Sequence, residues 1–289
     1  MNASRNIYIV LLAGLAAMPL MAQSDRASLL MYLQRSEQRQ TSGVVVSDVV
    51  LQGTATRSMG SNTETATVTL RAAANGNSTL MLSNADGALN ETTAVSSSLK
   101  RLRVWHTRET RRTSVSVDPA TTASSDTATA RTGMTRPTSL FPVVPWYLPY
   151  FSIQSALAEE GGLDIAALPA TPSSQDIGIR MRYHTTDPKV LLSGEKLGTY
   201  PDEVVLDHET LLPKTIVFRQ VITFKNPKSV YVDAHPAIEE RIEYSDYKQV
   251  QGTAIPMHIR VLIQKQPYLD IQLTSAQINT GVSIPTPSE

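Results

Sequence analysis

The 289-residue chain contains no cysteine. This absence excludes disulfide bonds, thiolate metal sites and cysteine nucleophiles, and it excludes the acylated cysteine that anchors a lipoprotein. An excess of charge of one sign is also lacking, because 26 Lys and Arg residues balance 26 Asp and Glu residues. Nucleic acids and anionic membrane surfaces select basic patches, so neither is an expected partner.

Motifs of catalysis are missing as well. The chain has no G-x-S-x-G elbow, no glycine-rich phosphate loop and no calcium loop, and its five histidines show no metal-ligand spacing. We therefore predict no catalytic residue, no metal site and no cofactor. Glu239, Glu240, Glu243 and Asp246 are expected on the solvated face of a strand, and Asp207 is expected to cap a turn. A hydrolase with a site assembled from scattered residues is one further alternative. It is disfavoured because no nucleophile and base can be paired from the sequence.

Long apolar runs are limited to the first residues. Residues 7–22 form an uncharged apolar run, preceded by Arg5 and containing Pro19. This run is shorter than the roughly 20 residues that span a bilayer and has the layout of a secretory signal. We predict a signal peptide at residues 1–23 and a periplasmic or secreted mature chain without stable membrane insertion, expected to be a monomer. An uncleaved inner-membrane anchor is the alternative.

The dominant pattern in the remaining chain is an alternation of period two. In "TATVTLRA", Ala66, Val68, Leu70 and Ala72 alternate with polar residues, and the following "NGN" predicts a hairpin turn into "STLMLS". The stretches "IGIRMRY" and "IEERIEY" alternate in the same way, and residues 203–281 read as successive strands joined by short turns. The prediction is a mainly β (α+β) fold with a curved antiparallel sheet or incomplete β-barrel.

Few segments depart from this pattern. The stretch "SDRASLLMYLQRSEQRQ" predicts an amphipathic helix, with Leu29, Leu30 and Leu33 on one side. A second short helix is expected in "SIQSALAEEGG", capped by Ser152 and stopped by Gly161 or Gly162. Residues 118–139 are rich in Thr, Ala and Ser and lack aromatics, which predicts a mobile surface loop within a single domain of residues 24–289. A linker between two domains is the alternative.

Aromatic residues make up only 6% of the chain, and five of the sixteen lie in "FPVVPWYLPYF", residues 141–151. Three prolines in the same stretch argue against an ordinary helix or central strand. Such an apolar segment has to be buried, and three interpretations stay open: a plug of a dry core, a lid over an apolar ligand, and a surface that docks a protein.

The last third of the chain also carries a family resemblance. The stretches "LDHETLLPKTIVF", "IEYSDYKQVQGTAIPMHIRV" and "LTSAQINTG" resemble the closing strands of LolA-like proteins, the outer-membrane lipoprotein-sorting family, and of their uncharacterised secreted bacterial relatives. The resemblance covers residues 203–281 and, less strongly, residues 47–87. It implies an incomplete antiparallel barrel with helices over its open face, an apolar cavity that accepts acyl chains, and no enzymatic residues. The basic residue that the carriers use near this cavity could be Arg57, Arg71 or Arg103.

Together these patterns predict an exported, non-enzymatic binding protein for an apolar ligand, with a lipid or an acylated protein as partner. The alternative is an interaction or sensing module that uses the half-barrel as a scaffold and binds no lipid. Under the lid interpretation the predicted ligand-binding residues are Phe141, Val143, Trp146, Tyr147, Leu148, Tyr150 and Phe151, with Trp105 on a neighbouring strand.

Overall fold

A computed structural model gives the structure of the protein. It describes residues 25–59, 61–75, 77–85, 87–95, 102–110, 148–158, 163–169, 175–183, 201–220, 223–224, 233–234 and 238–284. The predicted signal peptide and the loop at 118–139 lie outside the described residues. Among those described, no helix is long and apolar enough to cross a membrane.

The described elements are two helices and fourteen strands. Helix α1 covers residues 25–41, and helix α2 covers Pro149–Ala158. The first strands are β1 (Asp48–Met59), β2 (Asn62–Ala73), β3 (Ser78–Asn84), β4 (Gly87–Val95) and β5 (Leu102–Thr110). After α2 follow β6 (Leu163–Ala167), β7 (Ile177–Tyr183), β8 (Glu203–Leu206), β9 (Pro213–Gln220), β10 (Thr223–Phe224), β11 (Asp233–Ala234), β12 (Ile238–Val250), β13 (Thr253–Ile263) and β14 (Gln266–Ile278).

Twelve of these strands form one antiparallel sheet in the order β5-β4-β3-β2-β1-β14-β13-β12-β9-β8-β7-β6. Strands β10 and β11 form a separate two-stranded ribbon. The sheet does not close into a barrel, because β5 and β6 end it and do not pair with each other in the described chain. The prediction of a mainly β fold with an incomplete barrel and few helices is confirmed. Strands from before and after the predicted loop belong to the same sheet.

Alternation along the strands separates two faces, as the sequence predicts. On β2, Ala66, Val68, Leu70 and Ala72 are 1–8% exposed, and on β7 Ile179 and Met181 are fully buried. The predicted β2–β3 hairpin is present, with Leu70 opposite Leu80. We call the buried side of the sheet the core face and the other side the outer face.

The outer face of the C-terminal strands carries a ladder of ion pairs. Arg219 on β9 contacts Glu203 on β8 at 2.9 Å and Glu239 on β12 at 3.0 Å. Farther along, Arg260 on β13 contacts Glu243 on β12 at 3.1 Å. These pairs confirm that Glu239 and Glu243 lie on the solvated face, where each contributes little stability.

Two acidic residues of that predicted cluster lie elsewhere. Glu240 is 5% exposed and lies on the core face, in phase with Ile242 and Tyr244, so its expected position on the solvated face is wrong. Neighbouring residues of a strand point to opposite faces, so Glu240 faces the core because Glu239 faces solvent. Asp246 has a φ of 55° at the irregularity in the β12–β13 pairing, and it is exposed.

A clasp of polar side chains joins the start of β1 to the end of β14. The buried Asp48 carboxylate accepts hydrogen bonds from the Thr280 backbone N–H at 2.8 Å, the Thr280 hydroxyl at 2.6 Å and the Gly281 N–H at 3.1 Å. Asn279 accepts from the Ser47 N–H at 2.7 Å and donates to the Val45 carbonyl at 2.8 Å. Burial alone would raise the pKa of Asp48, but these hydrogen bonds outweigh it and lower the pKa.

We expect the clasp to make stability depend on pH. A carboxyl group with a lowered pKa in the folded state stabilises the fold above its ordinary pKa, and this contribution is lost as the pH falls through the folded value. Asp48→Asn should therefore lower the free energy of unfolding by about 2 kcal/mol at pH 7, as for hydrogen bonds to charged groups. Urea unfolding of both proteins at several pH values measures the difference, which should shrink below about pH 4. A difference that does not change with pH would contradict the assignment.

Candidate functional site

The core face is the largest apolar surface in the described chain. Its side chains come from ten neighbouring strands, from β3 to β6 in the sheet order, and they form one continuous buried cluster with both helices. Fully buried members include Val49, Leu51, Ile179, Val204, Leu206, Ile216, Ile255, Ile259 and Ile271. This face is the candidate ligand-binding surface.

Helix α1 packs one stripe of side chains into the core. Leu29 and Leu33 are buried as predicted, and the same stripe continues with Ser36 and Gln40, which are both 0% exposed. The spacing of these four residues follows the helical period. Gln40 Nε2 donates to the Ser36 carbonyl at 3.3 Å and lies 3.4 Å from the Ser36 hydroxyl. The buried stripe of α1 is therefore apolar in its first half and polar in its second half.

Helix α2 begins earlier than the sequence indicated. It starts at Pro149, so Ser152 is an interior helical residue and the prediction that it caps the helix is wrong. A proline in the first turn loses no hydrogen bond, because the first N–H groups have no helical partner, and its fixed φ suits a helix. The end of the aromatic stretch is thus helical.

The structure places three of the eight predicted ligand-binding residues. Leu148, Tyr150 and Phe151 are 1–6% exposed and belong to the core cluster, with the Tyr150 and Phe151 ring centroids 5.4 Å apart. Phe141, Val143, Trp146 and Tyr147 lie outside the described residues. Trp105 is in β5, but its side chain is not described. Contact of any of these residues with a ligand stays a prediction.

Four buried polar atoms lie at or near the core face without a hydrogen-bond partner in the described part of the chain. They are Gln40 Oε1 on α1, Ser78 Oγ on β3, Ser152 Oγ on α2 and Thr253 Oγ1 on β13. All four residues are 0–1% exposed. Buried polar groups are nearly always hydrogen-bonded, so each such group needs an explanation. We call these four residues the polar end of the core.

The segment 42–47 shows why these residues belong to one end of the molecule. It links α1 to β1, and its Ser47 carbonyl accepts from the Ala74 N–H at 2.9 Å in the turn before Ser78. Gly252, which precedes Thr253, approaches Val44 so closely that a Cβ there would lie 3.1 Å from the Val44 side chain. The Val46 backbone hydrogen-bonds to Tyr150, two residues before Ser152.

The electrostatics of this end are set by burial. Burial raises the pKa of Glu37, one turn before Gln40. Burial also raises the pKa of Tyr150, and the nearby charge of Glu37 raises it further. Both shifts show an environment in which the charged form of a group is disfavoured. The Tyr150 hydroxyl accepts a hydrogen bond from Gln154 Nε2 at 3.1 Å.

The opposite end of the core face carries a charged group. Arg57, whose side chain is 11% exposed, contacts Glu64 at 3.5 Å, and Asn84 donates to the same Glu64 carboxylate. Of the three arginines considered from the sequence, Arg57 points to the core face, Arg71 is exposed, and the Arg103 side chain is not described. A cleft of about 360 Å³ also lies near this end. Arg57 is not part of its lining, which includes Thr56, Arg260 and Asp270 together with the core-face residues Val261 and Leu269.

A group of possible metal ligands lies outside the core face. Asp176, Asp207 and His208 place one ligand atom each within 4.8 Å of one another. Lys214 already supplies a cation there, at 3.0 Å from Asp176 and 4.0 Å from Asp207. Asp207 Oδ1 accepts from the Glu209 and Thr210 N–H groups at 3.2 and 2.9 Å, which confirms its predicted role as a turn cap and lowers its pKa. The geometry is that of a stabilised turn.

Sequence reasoning missed the polar end of the core. Ser78 and Thr253 could have been found, because each occupies the buried phase of its strand, in step with Leu80 and Ile255 respectively. Gln40 continues the helical spacing of Leu29 and Leu33. The sequence points to Ser152 as a helix cap, whereas the structure places it inside α2.

Comparisons with known proteins show structural similarity only. No protein-family model matches the sequence, and a search of curated protein sequences gives no match. One similar structure is a domain from Vibrio parahaemolyticus assigned to outer membrane lipoprotein sorting, with 10% identity, 91% of this chain and 95% of that chain covered, and a TM-score of 0.45. A DUF1329 family protein from Desulfovibrio piger has 12% identity, coverages of 90% and 95%, and a TM-score of 0.46. A LolA superfamily protein from Nitrosomonas europaea has 12% identity, coverages of 86% and 92%, and a TM-score of 0.40. The likeness to these structures concerns the fold alone.

Proposed function

We propose that this chain is an exported, non-enzymatic binding protein that holds an apolar ligand, such as a lipid or the acyl chain of a partner protein, between the core face and the two helices. The observation that carries the proposal is the extent of the core face. It is continuous over ten strands, and in the described chain only α1 and α2 pack on it as helices.

A rough comparison of areas supports this proposal. Helices of 17 and 10 residues are about 25 and 15 Å long and about 10 Å wide, so together they cover about 400 Å². Ten strands at a spacing of about 4.8 Å, each about 20 Å long, present roughly 900 Å². In the described chain the two helices therefore cover less than half of the face. An apolar face of this extent, covered only in part by two short helices, suits an acyl chain.

The aromatic segment provides the test. We expect Trp146, in the segment that leads into α2, to be quenched saturably by a brominated fatty acid, and Trp105 to be quenched less. Trp105→Phe and Trp146→Phe leave one tryptophan each, so steady-state fluorescence separates the two signals. Native mass spectrometry of gently purified protein should also show copurified lipid. The proposal fails if neither tryptophan responds and the protein carries no lipid.

The second candidate is an interaction module without a lipid ligand. The observation that favours it is the tight burial of Leu148, Tyr150 and Phe151, which fits a plug as well as a lid. Strand β6 pairs only with β7 in the described chain and offers an edge for a partner strand. An empty chain in the mass spectrum would support this function.

A further inference from the structure

The polar end of the core has a property that an apolar ligand alone does not explain. Gln40, Ser78, Ser152 and Thr253 bring one amide oxygen and three hydroxyls into the interior, and none of these atoms has a hydrogen-bond partner in the described chain. A buried polar group without a partner destabilises the folded chain, because it has lost its hydrogen bonds to water and gained none in return. Four such uncharged groups at one end of a largely apolar face are costly to maintain unless something binds them.

We infer that the polar end of the core receives the uncharged polar head of an amphipathic ligand whose hydrocarbon chain lies along the core face. The inference rests on the proposed function and specifies the class of ligand: an ester, amide or alcohol head. Hydroxyls can donate to an ester or amide carbonyl, and the Gln40 oxygen can accept from a ligand hydroxyl or N–H.

Gln40 and Ser152 bring the two helices into this site. Helices α1 and α2 both pack into the same core cluster, and Gln40 and Ser152 are each 0% exposed. Ser78 and Thr253 flank the site, because their strands are four positions apart in the sheet, about 19 Å on a flat sheet.

The absence of charge among these four residues sets the specificity. A carboxylate or phosphate head would lose its hydration without gaining a cationic partner from them, and it would approach the Glu37 carboxyl group. Asp48, the other acidic group at this end, is already occupied by Ser47, Thr280 and Gly281. A cationic head would also lose hydration, in an environment that already disfavours the charged form of Glu37.

The experiment compares four compounds with the same hydrocarbon length on the delipidated chain: monopalmitoylglycerol, palmitate, hexadecylamine and hexadecane. Isothermal titration calorimetry measures their affinities. We expect monopalmitoylglycerol to bind about tenfold or more tightly than the other three, as a pair of neutral hydrogen bonds provides. Ser152→Ala and Gln40→Met should each weaken its binding about 2- to 12-fold, the value of one such bond, and leave hexadecane binding unchanged.

Matched controls lie on the same helices. Gln38→Met changes an exposed glutamine of α1, and Ser155→Ala changes a partly buried serine of α2, and neither should alter any affinity. Ser152→Ala should not lower the thermal midpoint of the ligand-free chain, because it removes an unpaired group and alanine favours a helix.

The outcomes separate the two proposals. Equal or tighter binding of palmitate or hexadecylamine, or a clear loss of stability in Ser152→Ala, overturns the inference and leaves acyl-chain binding standing. Binding of none of the four compounds, hexadecane included, overturns the proposed function and the inference with it.

Discussion

Phe151→Ala should lower the free energy of unfolding by about 3–5 kcal/mol, the usual cost of removing a large aromatic side chain from a core. Phe151 is 6% exposed, packs against Tyr150 and belongs to the cluster that joins α2 to the sheet. Truncation leaves a cavity that a helix held on one side by the sheet cannot close completely. Urea unfolding, followed by circular dichroism, measures the change.

The same variant separates the plug from the lid interpretation. If α2 is a plug, affinity for an acyl chain stays near the native value while stability falls. If α2 is a lid that contributes contact area to the ligand, affinity falls together with stability. Met31→Ala is the control, because Met31 on α1 is 48% exposed and its truncation should change stability by less than about 0.5 kcal/mol. A stable Phe151→Ala variant with native affinity would contradict both interpretations.

Gly53→Ala should destabilise the chain by about 3 kcal/mol, near the upper end of the range for overpacking. Gly53 lies on β1 where the pairing with β14 shifts register, and a Cβ at this position would lie 2.0 Å from the Gln272 carbonyl oxygen and 2.8 Å from the Leu273 Cα. Both are backbone atoms, which cannot rotate away as a side chain can. The methyl group therefore forces β1 and β14 apart at the centre of the sheet.

Thr54→Val tests whether the effect belongs to this position. Thr54 is the next residue of β1, is exposed, and keeps a β-branched shape in the variant, so its stability should change by less than about 0.5 kcal/mol. Equal urea unfolding midpoints for Gly53→Ala and the native chain would contradict the prediction. They would show that the register shift between β1 and β14 can rearrange to admit the methyl group.

Most of the sheet could be predicted from the sequence because alternation is a local property. Leu70 and Ile242 mark buried faces through neighbours two residues away, and the Gln251–Gly252 turn contains a glycine at a positive φ of 83°. The turn between β13 and β14 carries no such signal, since Gln264 and Lys265 both have positive φ without a glycine. The pairing of β1 with β14 is not local either, and no short stretch of sequence encodes it.

The candidate site was predictable only in part. The burial of Leu148, Tyr150 and Phe151 follows from their apolar character, and the structure confirms that they are buried. The buried positions of Ser152 and Glu240 depend on where α2 begins and on which phase of β12 faces the core. A shift of one residue in a strand exchanges the two faces. Glu240, which follows a residue of the outer-face ion pairs, is therefore easily assigned to the wrong face.

The pairing of the first strand with the last also determines when the protein can fold during its synthesis. Asp48 and Thr280, which close the clasp, are 232 positions apart. Strand β1 can pair with β2 early, but it cannot pair with β14 until Gln266–Ile278 has been synthesised. Contacts of such long range place the chain among slow folders, with times of milliseconds to seconds. The export proposed above would make this delay an advantage. The pairing of β1 with β14, at the centre of the sheet, cannot form before Gln266–Ile278 has been made, and threading through a translocation pore can begin before then.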